Sequence, residues 1–277
     1  MMKYKISYEG LGGVIDFSKA PFIYADHNLF DYEFSYDSTN MPSQNKTILN
    51  QIYSLGKVKT ISLQVIGTKK AEILNDLETK LNYDIEAKQP GKLYVNDEYI
   101  NCYLVASSKK EWNQYAAMEY ITLSLFCESP KWITEKTYDF SIYEKNSIDG
   151  GFHFPLSFPV SFKYSWKNMD ILNNHYAPVK CKLYFYGPIK DPKVRIGENL
   201  YAMNGELLDS ERYIIDQNDK TIVKITAAGE IVNCFDERDK SSSIFLPIQI
   251  GENKVDYDGT FSFSICLYTE RNEPRWI

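Results

Sequence analysis

From Phe261 to Leu267 apolar and polar side chains alternate without a break: Phe261, Phe263, Ile265 and Leu267 fall on one side, Ser262, Ser264 and Cys266 on the other. That is the period-two pattern of a half-buried strand, and a face so apolar must be covered. Two stretches near the C-terminus, Tyr213–Ile225 and Phe245–Leu267, each read as strands paired around a polar turn, at Gln217–Asp219 and Gly251–Asn253 respectively. Lys57–Ile66 alternates in the same way, with Ile61, Leu63 and Val65 on one face, and so does Met118–Cys127, with Ile121, Leu123, Leu125 and Cys127. Residues 3–25 read as strands broken at the glycine cluster Gly10–Gly13, and Lys92–Val105 as a hairpin turning at Asn96 and Asp97.

One segment has helical rather than strand period. Ile73, Leu74, Leu77 and Leu81 recur at the spacing of one helix face, which predicts a helix over Thr68–Tyr83 with Thr68 as its cap. Such a stripe can fill a partner's groove, but packing on its own sheet is the default. The polar stretch from Asp26 to Gly56 has little periodicity and reads as a long loop or arm. Beyond Cys127 a proline, a polar run and the double glycine at Gly150–Gly151 mark a boundary near residue 130. Short strands then follow one another at Phe154–Phe162, Val179–Phe185 and Lys193–Ile196, up to a last strand ending at Leu267. The expectation is a mainly β protein of two domains: 1–130, β-sandwich-like with one helix and a hairpin, and 131–277, an all-β sandwich.

Composition narrows the function. The chain has 277 residues, 44% hydrophobic and 25% charged, with 22 Tyr and 15 Phe. This is the make-up of a folded globular chain whose aromatics suit pleated strands and subunit interfaces. The 31 basic and 37 acidic residues leave a formal charge of −6, with no basic stripe to hold a phosphate backbone. The N-terminus lacks the apolar run of a signal peptide and no segment has the length of a membrane span, so synthesis in a cytoplasm and no membrane insertion are expected. The Asn45–Thr47 sequon carries no weight without secretion.

The search for chemistry comes out empty. His27, His153 and His175 are isolated from one another and from acidic or cysteine partners at ligand spacing. Cys102, Cys127, Cys181, Cys234 and Cys266 are widely spaced and read as small buried residues. HExxH, GxSxG, GxGxxG and Walker A patterns are absent. Asp216–Asp219 opens like a calcium loop by residue type but lacks the later glycine and glutamate, and reads as a hairpin turn. Asp236–Asp239 could mimic a carboxylate pair but reads as a solvated face. Trp112, Trp132, Trp166 and Trp276 could stack on sugars, although packing is the commoner fate of tryptophan. No catalytic, cofactor-binding or metal-binding residue is assigned, and the chain is expected not to be an enzyme.

In order and local pattern the chain resembles the siphophage distal tail protein family, also called Dit. The resemblance is carried by the single helix Lys69–Tyr83 followed by the hairpin GKLYVNDEYI (Gly91–Ile100), and by the strand ending in CESPKW (Cys127–Trp132). The later segments YIID (Tyr213–Asp216), LPIQIGEN (Leu246–Asn253) and PRW (Pro274–Trp276) extend it over most of the chain. It implies a ring-forming N-terminal domain and a galectin-like C-terminal sandwich. It also implies a homo-oligomer closing as a hexameric ring at the virion tail tip, a baseplate hub that joins the major tail tube protein to a tail-associated lysin or tail fibre protein. Receptor-binding proteins are further implied partners, and DNA passes only in transit. The segment Asn40–Gly56 departs from the family in lacking a Pro-Gly or Asp-Gly loop. The alternative is a carbohydrate-binding module acting in host cell-wall recognition, for which no galectin-type sugar motif is present on the C-terminal strands.

Overall fold

The computed structural model describes residues 4–109, 118–142 and 170–276. His153, Trp112, Trp166, the double glycine and the expected strand Phe154–Phe162 lie outside the described residues. The chain forms two compact units, Met1–Thr134 together with Glu270–Ile277, and Glu135–Thr269. Both are built almost wholly of strands.

The first unit contains β1 (Ile6–Gly10), β2 (Gly13–Asp16), β3 (Phe22–His27), β4 (Ser35–Met41), β5 (Lys46–Tyr53) and β6 (Lys57–Ile66). After helix α1 (Lys70–Glu86) come β7 (Gly91–Val95), β8 (Glu98–Lys109), β9 (Met118–Cys127) and the start of β10 (Trp132–Phe140). One sheet has the order β2-β1-β7-β8 and a second the order β3-β6-β9-β8. Strand β8 serves both: Glu98–Cys102 pairs with β7, and Tyr103–Lys109 pairs with β9. A register shift between Leu104 and Ala106 lies in the second half. The inward side chains of both sheets, among them Ile6, Leu93, Ile100, Ile61, Leu63, Leu123 and Leu125, make one core with Trp132.

Helix α1 closes that core with Leu77 and Leu81, while Ile73 and Leu74 pack at its margin, so the stripe is spent on the chain's own sheets. The helix starts two residues later than expected and runs on to Glu86, with Lys69 rather than Thr68 at its cap and no side-chain cap bond. Glu72, in the first turn, instead faces the positive end of the helix dipole. Lys88, with φ of 52°, and Pro90 then stop the helix.

In the second unit the strands are β11 (Asp170–Asn173), β12 (Lys180–Tyr186), β13 (Ile189–Lys190), β14 (Lys193–Ile196), β15 (Asn199–Ala202) and β16 (Glu206–Leu207). They continue with β17 (Arg212–Asp216), β18 (Thr221–Ile225), β19 (Ile231–Asn233), β20 (Gly251–Asp256) and β21 (Phe263–Arg271). One sheet runs β19-β18-β17-β12-β21-β10 and another β11-β20-β14-β15. Leu183, Phe185, Ile215 and Phe263 of the first meet Ile171, Val194, Tyr201 and Val255 of the second in a single core. The β17–β18 hairpin turns at Gln217–Lys220 as expected.

The expected hairpin over Phe245–Leu267 does not form. Gly251–Asn253 opens strand β20, which pairs with β11 and β14, whereas β21 pairs with β12 in the other sheet. The outer side of β21 is also buried at Ser264 and Cys266, so the strand is not half-exposed. The last residues also depart from a simple cut near 130: Glu270–Ile277 packs in the first unit. There the Arg275 amide donates to Glu98 at 2.8 Å and the Trp276 ring lies 4.7 Å from Phe30.

Candidate interaction surfaces

The residue types that could carry chemistry are taken up by packing. His27 is stacked on Phe30 at 5.4 Å, in an aromatic group with Tyr4, Tyr24 and Trp276. His175 packs on Tyr176 at 4.0 Å, and its amide donates to Asn173 Oδ1 at 2.9 Å. Among the described residues no group of His, Cys, Asp or Glu has the arrangement of a metal site. Trp132 is fully buried and offers no face to a sugar, while Trp276 is exposed but packed on Phe30.

All five cysteines are buried free thiols. Cys102 and Cys127 are hydrogen-bonded neighbours; that bond and the nearby Lys59 ammonium hold the Cys127 thiol below its ordinary range. The same bond together with burial pushes Cys102 up. Neither thiol is open to substrate, since both are fully buried.

The acidic stretches also have structural partners. Asp216 accepts the Asn218 amide at 2.9 Å and pairs with Lys182 at 2.7 Å. Gln217 is buried, accepts the Cys181 amide at 2.9 Å and donates to the Leu246 carbonyl at 2.9 Å, tying the turn to the sandwich. Asp236–Asp239 is not merely a solvated face: Glu237 accepts the hydroxyl of fully buried Tyr213. Burial and that carboxylate push the Tyr213 phenol well above its ordinary range. Asp239 accepts the Ser241 amide at 2.8 Å, which holds its carboxyl below the usual carboxylate range.

A clasp in the first unit joins the glycine turn to the helix. Buried Asp84, in the last turn of α1, accepts the Tyr8 hydroxyl at 2.6 Å and the Leu11 amide at 2.6 Å. A Cβ on Gly10 would stand 2.1 Å from Asp84 Oδ2, and one on Gly91 would stand 2.1 Å from the Tyr8 hydroxyl. Close approach therefore requires glycine at both places. Burial, with the Asp84 bond, pushes the Tyr8 phenol well up.

Among the described residues, what lacks a partner is a surface. The segment expected as a loop is a hairpin arm: β4 and β5 pair from Ser35–Tyr53 to Met41–Lys46 and, among the described residues, join no other strand. It reads poorly in sequence because no face of it meets a core, so the alternation that marks a strand is missing. At about 3.4 Å per residue the seven-residue strand extends roughly 24 Å, and it exposes Tyr36 (66%), Leu49 (53%) and Ile52 (57%). Asp37 and Lys46 are its only charges.

The base of the arm is rigidly held. Lys57 pairs with Glu33 at 2.6 Å, and the Asn28 amide and Oδ1 bond the Thr60 carbonyl and amide at 3.2 and 2.6 Å. Buried Lys59 donates to the carbonyls of Leu29, at 3.1 Å, and Asp31. Burial pushes the Lys59 ammonium down.

No family model and no curated protein matches this sequence. Solved structures do match. SPP1 Dit, described as a paradigm of the hub adsorption apparatus in phages infecting Gram-positive bacteria, aligns with a TM-score of 0.58 at 9% identity, over 98% of this chain and 100% of its own. A chain of the phage P2 baseplate in its activated conformation with Ca aligns at 0.63 and 12% identity, over 99% of this chain and 100% of that one. The form with Sr gives 0.64 and 14% over the same shares. Over its whole length the chain therefore has the fold of phage Dit and baseplate proteins.

Proposed function

We propose that this chain, sharing the fold of the Dit proteins from end to end, is a structural protein of a phage tail tip. In this reading identical copies close as a hexameric baseplate hub ring joining the tail tube to a tail-associated lysin or fibre, with DNA passing through. The first unit is the ring-forming part and the galectin-like second unit, Glu135–Thr269, faces outward. The role is mechanical rather than catalytic. The observation that carries it is the end-to-end fold match to SPP1 Dit and to the P2 baseplate chain.

The arm supplies the physical means of closure. A lone two-stranded hairpin is marginal in water, and this one exposes Tyr36, Leu49 and Ile52. Closing a heterologous ring requires two different complementary patches per copy, and an unpaired apolar arm held at a rigid base is suited to be one of them. The test is the mass of the purified protein by light scattering across micromolar concentrations, with negative-stain images. A hexamer with six-fold rings is expected; a chain that stays single and binds no tail-tube or tail-tip protein refutes the reading.

A further inference from the structure

Of the five cysteines, only Cys102 and Cys127 are placed to meet. Cys102 is the last residue of β8 that pairs with β7, and the ladder of β8 with β9 begins one residue further on, at Tyr103–Phe126. One step back along each strand stand Cys102 and Cys127, facing each other across the end of that ladder. Both side chains point into the core and are fully buried, and their thiols are hydrogen-bonded to each other. Cys181 and Cys266 also lie on neighbouring strands. There, however, the register sets Cys181 against Leu267 and Lys182 against Cys266, which sends the two sulfurs to opposite faces of the sheet. Cys234 has Glu237, not another cysteine, for its neighbour.

Facing residues of antiparallel strands have Cα atoms about 4.5–5.5 Å apart, inside the range of about 4.4–6.8 Å that a disulfide spans. Joining this pair therefore asks for little movement of the backbone. The position also has a use for a covalent link. The β8–β9 ladder stops at Tyr103–Phe126 just where β8 passes from one sheet to the other, so beyond that point side chains hold the two strands together. The Lys59 ammonium near Cys127 favours its thiolate, which makes Cys127 the attacking sulfur. Burial shuts out bulky reagents, but hydrogen peroxide is little larger than water and enters when the end of the ladder opens locally.

We propose that Cys102 and Cys127 are a dithiol that a hydroperoxide converts to a disulfide within the folded first unit, stapling β8 to β9 where their ladder ends. The Cys127 thiolate attacks one oxygen of the peroxide. The O–O bond breaks, and the departing hydroxide takes up the proton that the thiol gave and leaves as water. The Cys102 sulfur then attacks the sulfur of the Cys127 sulfenic acid, forming the S–S bond as the S–O bond breaks, and its proton leaves with the hydroxyl as a second water. Two thiols are thereby oxidised and one peroxide is reduced to two waters. The staple needs only the first unit, so it holds or fails independently of the ring reading above.

The experiment treats the reduced full chain with hydrogen peroxide well below its melting temperature, unfolds it in iodoacetamide, and reads intact mass and a peptide map. The expected product has lost two hydrogens, contains a peptide joining Cys102 to Cys127, and is alkylated at Cys181, Cys234 and Cys266. Dithiothreitol should restore all five alkylatable thiols. By closing a loop in the unfolded chain, the bond should raise the melting temperature of the oxidised form by about 5 °C or more over the reduced one. Cys127→Ala should abolish the linked peptide and Cys181→Ala should leave it in place. The wild-type chain decides the matter even where a variant fails to fold. Five thiols still free after peroxide, a different linked pair, or passage to sulfinic or sulfonic acid without the linked peptide overturns the proposal. So does an oxidised form that melts no higher than the reduced one, since the bond then staples nothing.

Discussion

Replacing Asp84 tests the clasp on which the first unit closes. The carboxylate is buried and accepts two donors, the Tyr8 hydroxyl and the Leu11 amide, both at 2.6 Å. Asp84→Ala strands both. An unmet buried donor costs about 1–3 kcal/mol, so the gross loss is about 2–6 kcal/mol. Relief from burying a carboxylate offsets part of it, leaving an expected net loss of about 3 kcal/mol. Tyr8→Phe removes only one bond to an ionised acceptor, worth about 1.5–3 kcal/mol. Because the two side chains share that bond, the double variant should lose about 1–2 kcal/mol less than the sum of the singles. For a unit of this size Asp84→Ala should lower the melting temperature by about 10 °C. Thermal unfolding followed by circular dichroism and by tryptophan fluorescence, to which Trp132 in this core contributes, measures all three variants. Additive losses, or an Asp84→Ala shift within 1–2 °C, would show that the helix end is held by apolar packing alone.

Three further outcomes are expected. Leu49→Asp/Ile52→Asp, at two exposed arm positions, should leave the far-ultraviolet circular dichroism of the folded chain unchanged while light scattering shows the assembly reduced to single chains; an intact ring would discharge the arm from closure. Trp132→Ala, emptying a fully buried site, should cost about 3–5 kcal/mol in urea unfolding. Trp132→Phe should cost less than half of that, because the indole N–H finds no partner among the described residues, and equal losses would refute this. Burial is the first cause of the raised phenols of Tyr8, Tyr201, Tyr213 and Tyr268. The folded chain therefore keeps protons that the unfolded chain releases above its ordinary value of 10.0, so stability is complete below about pH 10 and falls as pH rises further. Ultraviolet titration of phenolate should show these tyrosines ionising only as the fold is lost, and a single transition at their ordinary value would contradict it.

How far the sequence spoke depended on whether a strand has one covered face. Strands β6 and β9 run over Lys57–Ile66 and Met118–Cys127, just the bounds their alternation predicts, because one side of each meets the core and the other does not. Gly251–Asn253 misled for a local reason. Gly251, with φ of 89°, and two polar neighbours have the chemistry of a turn, yet Asn253 is buried and donates to the carbonyls of Gln249 and Gly251 at 2.9 and 3.0 Å. Its amide supports a sheet edge from inside, a role that composition does not separate from a loop's. Likewise nothing in Asp236–Asp239 announces that Glu237 reaches Tyr213, a partner far along the chain.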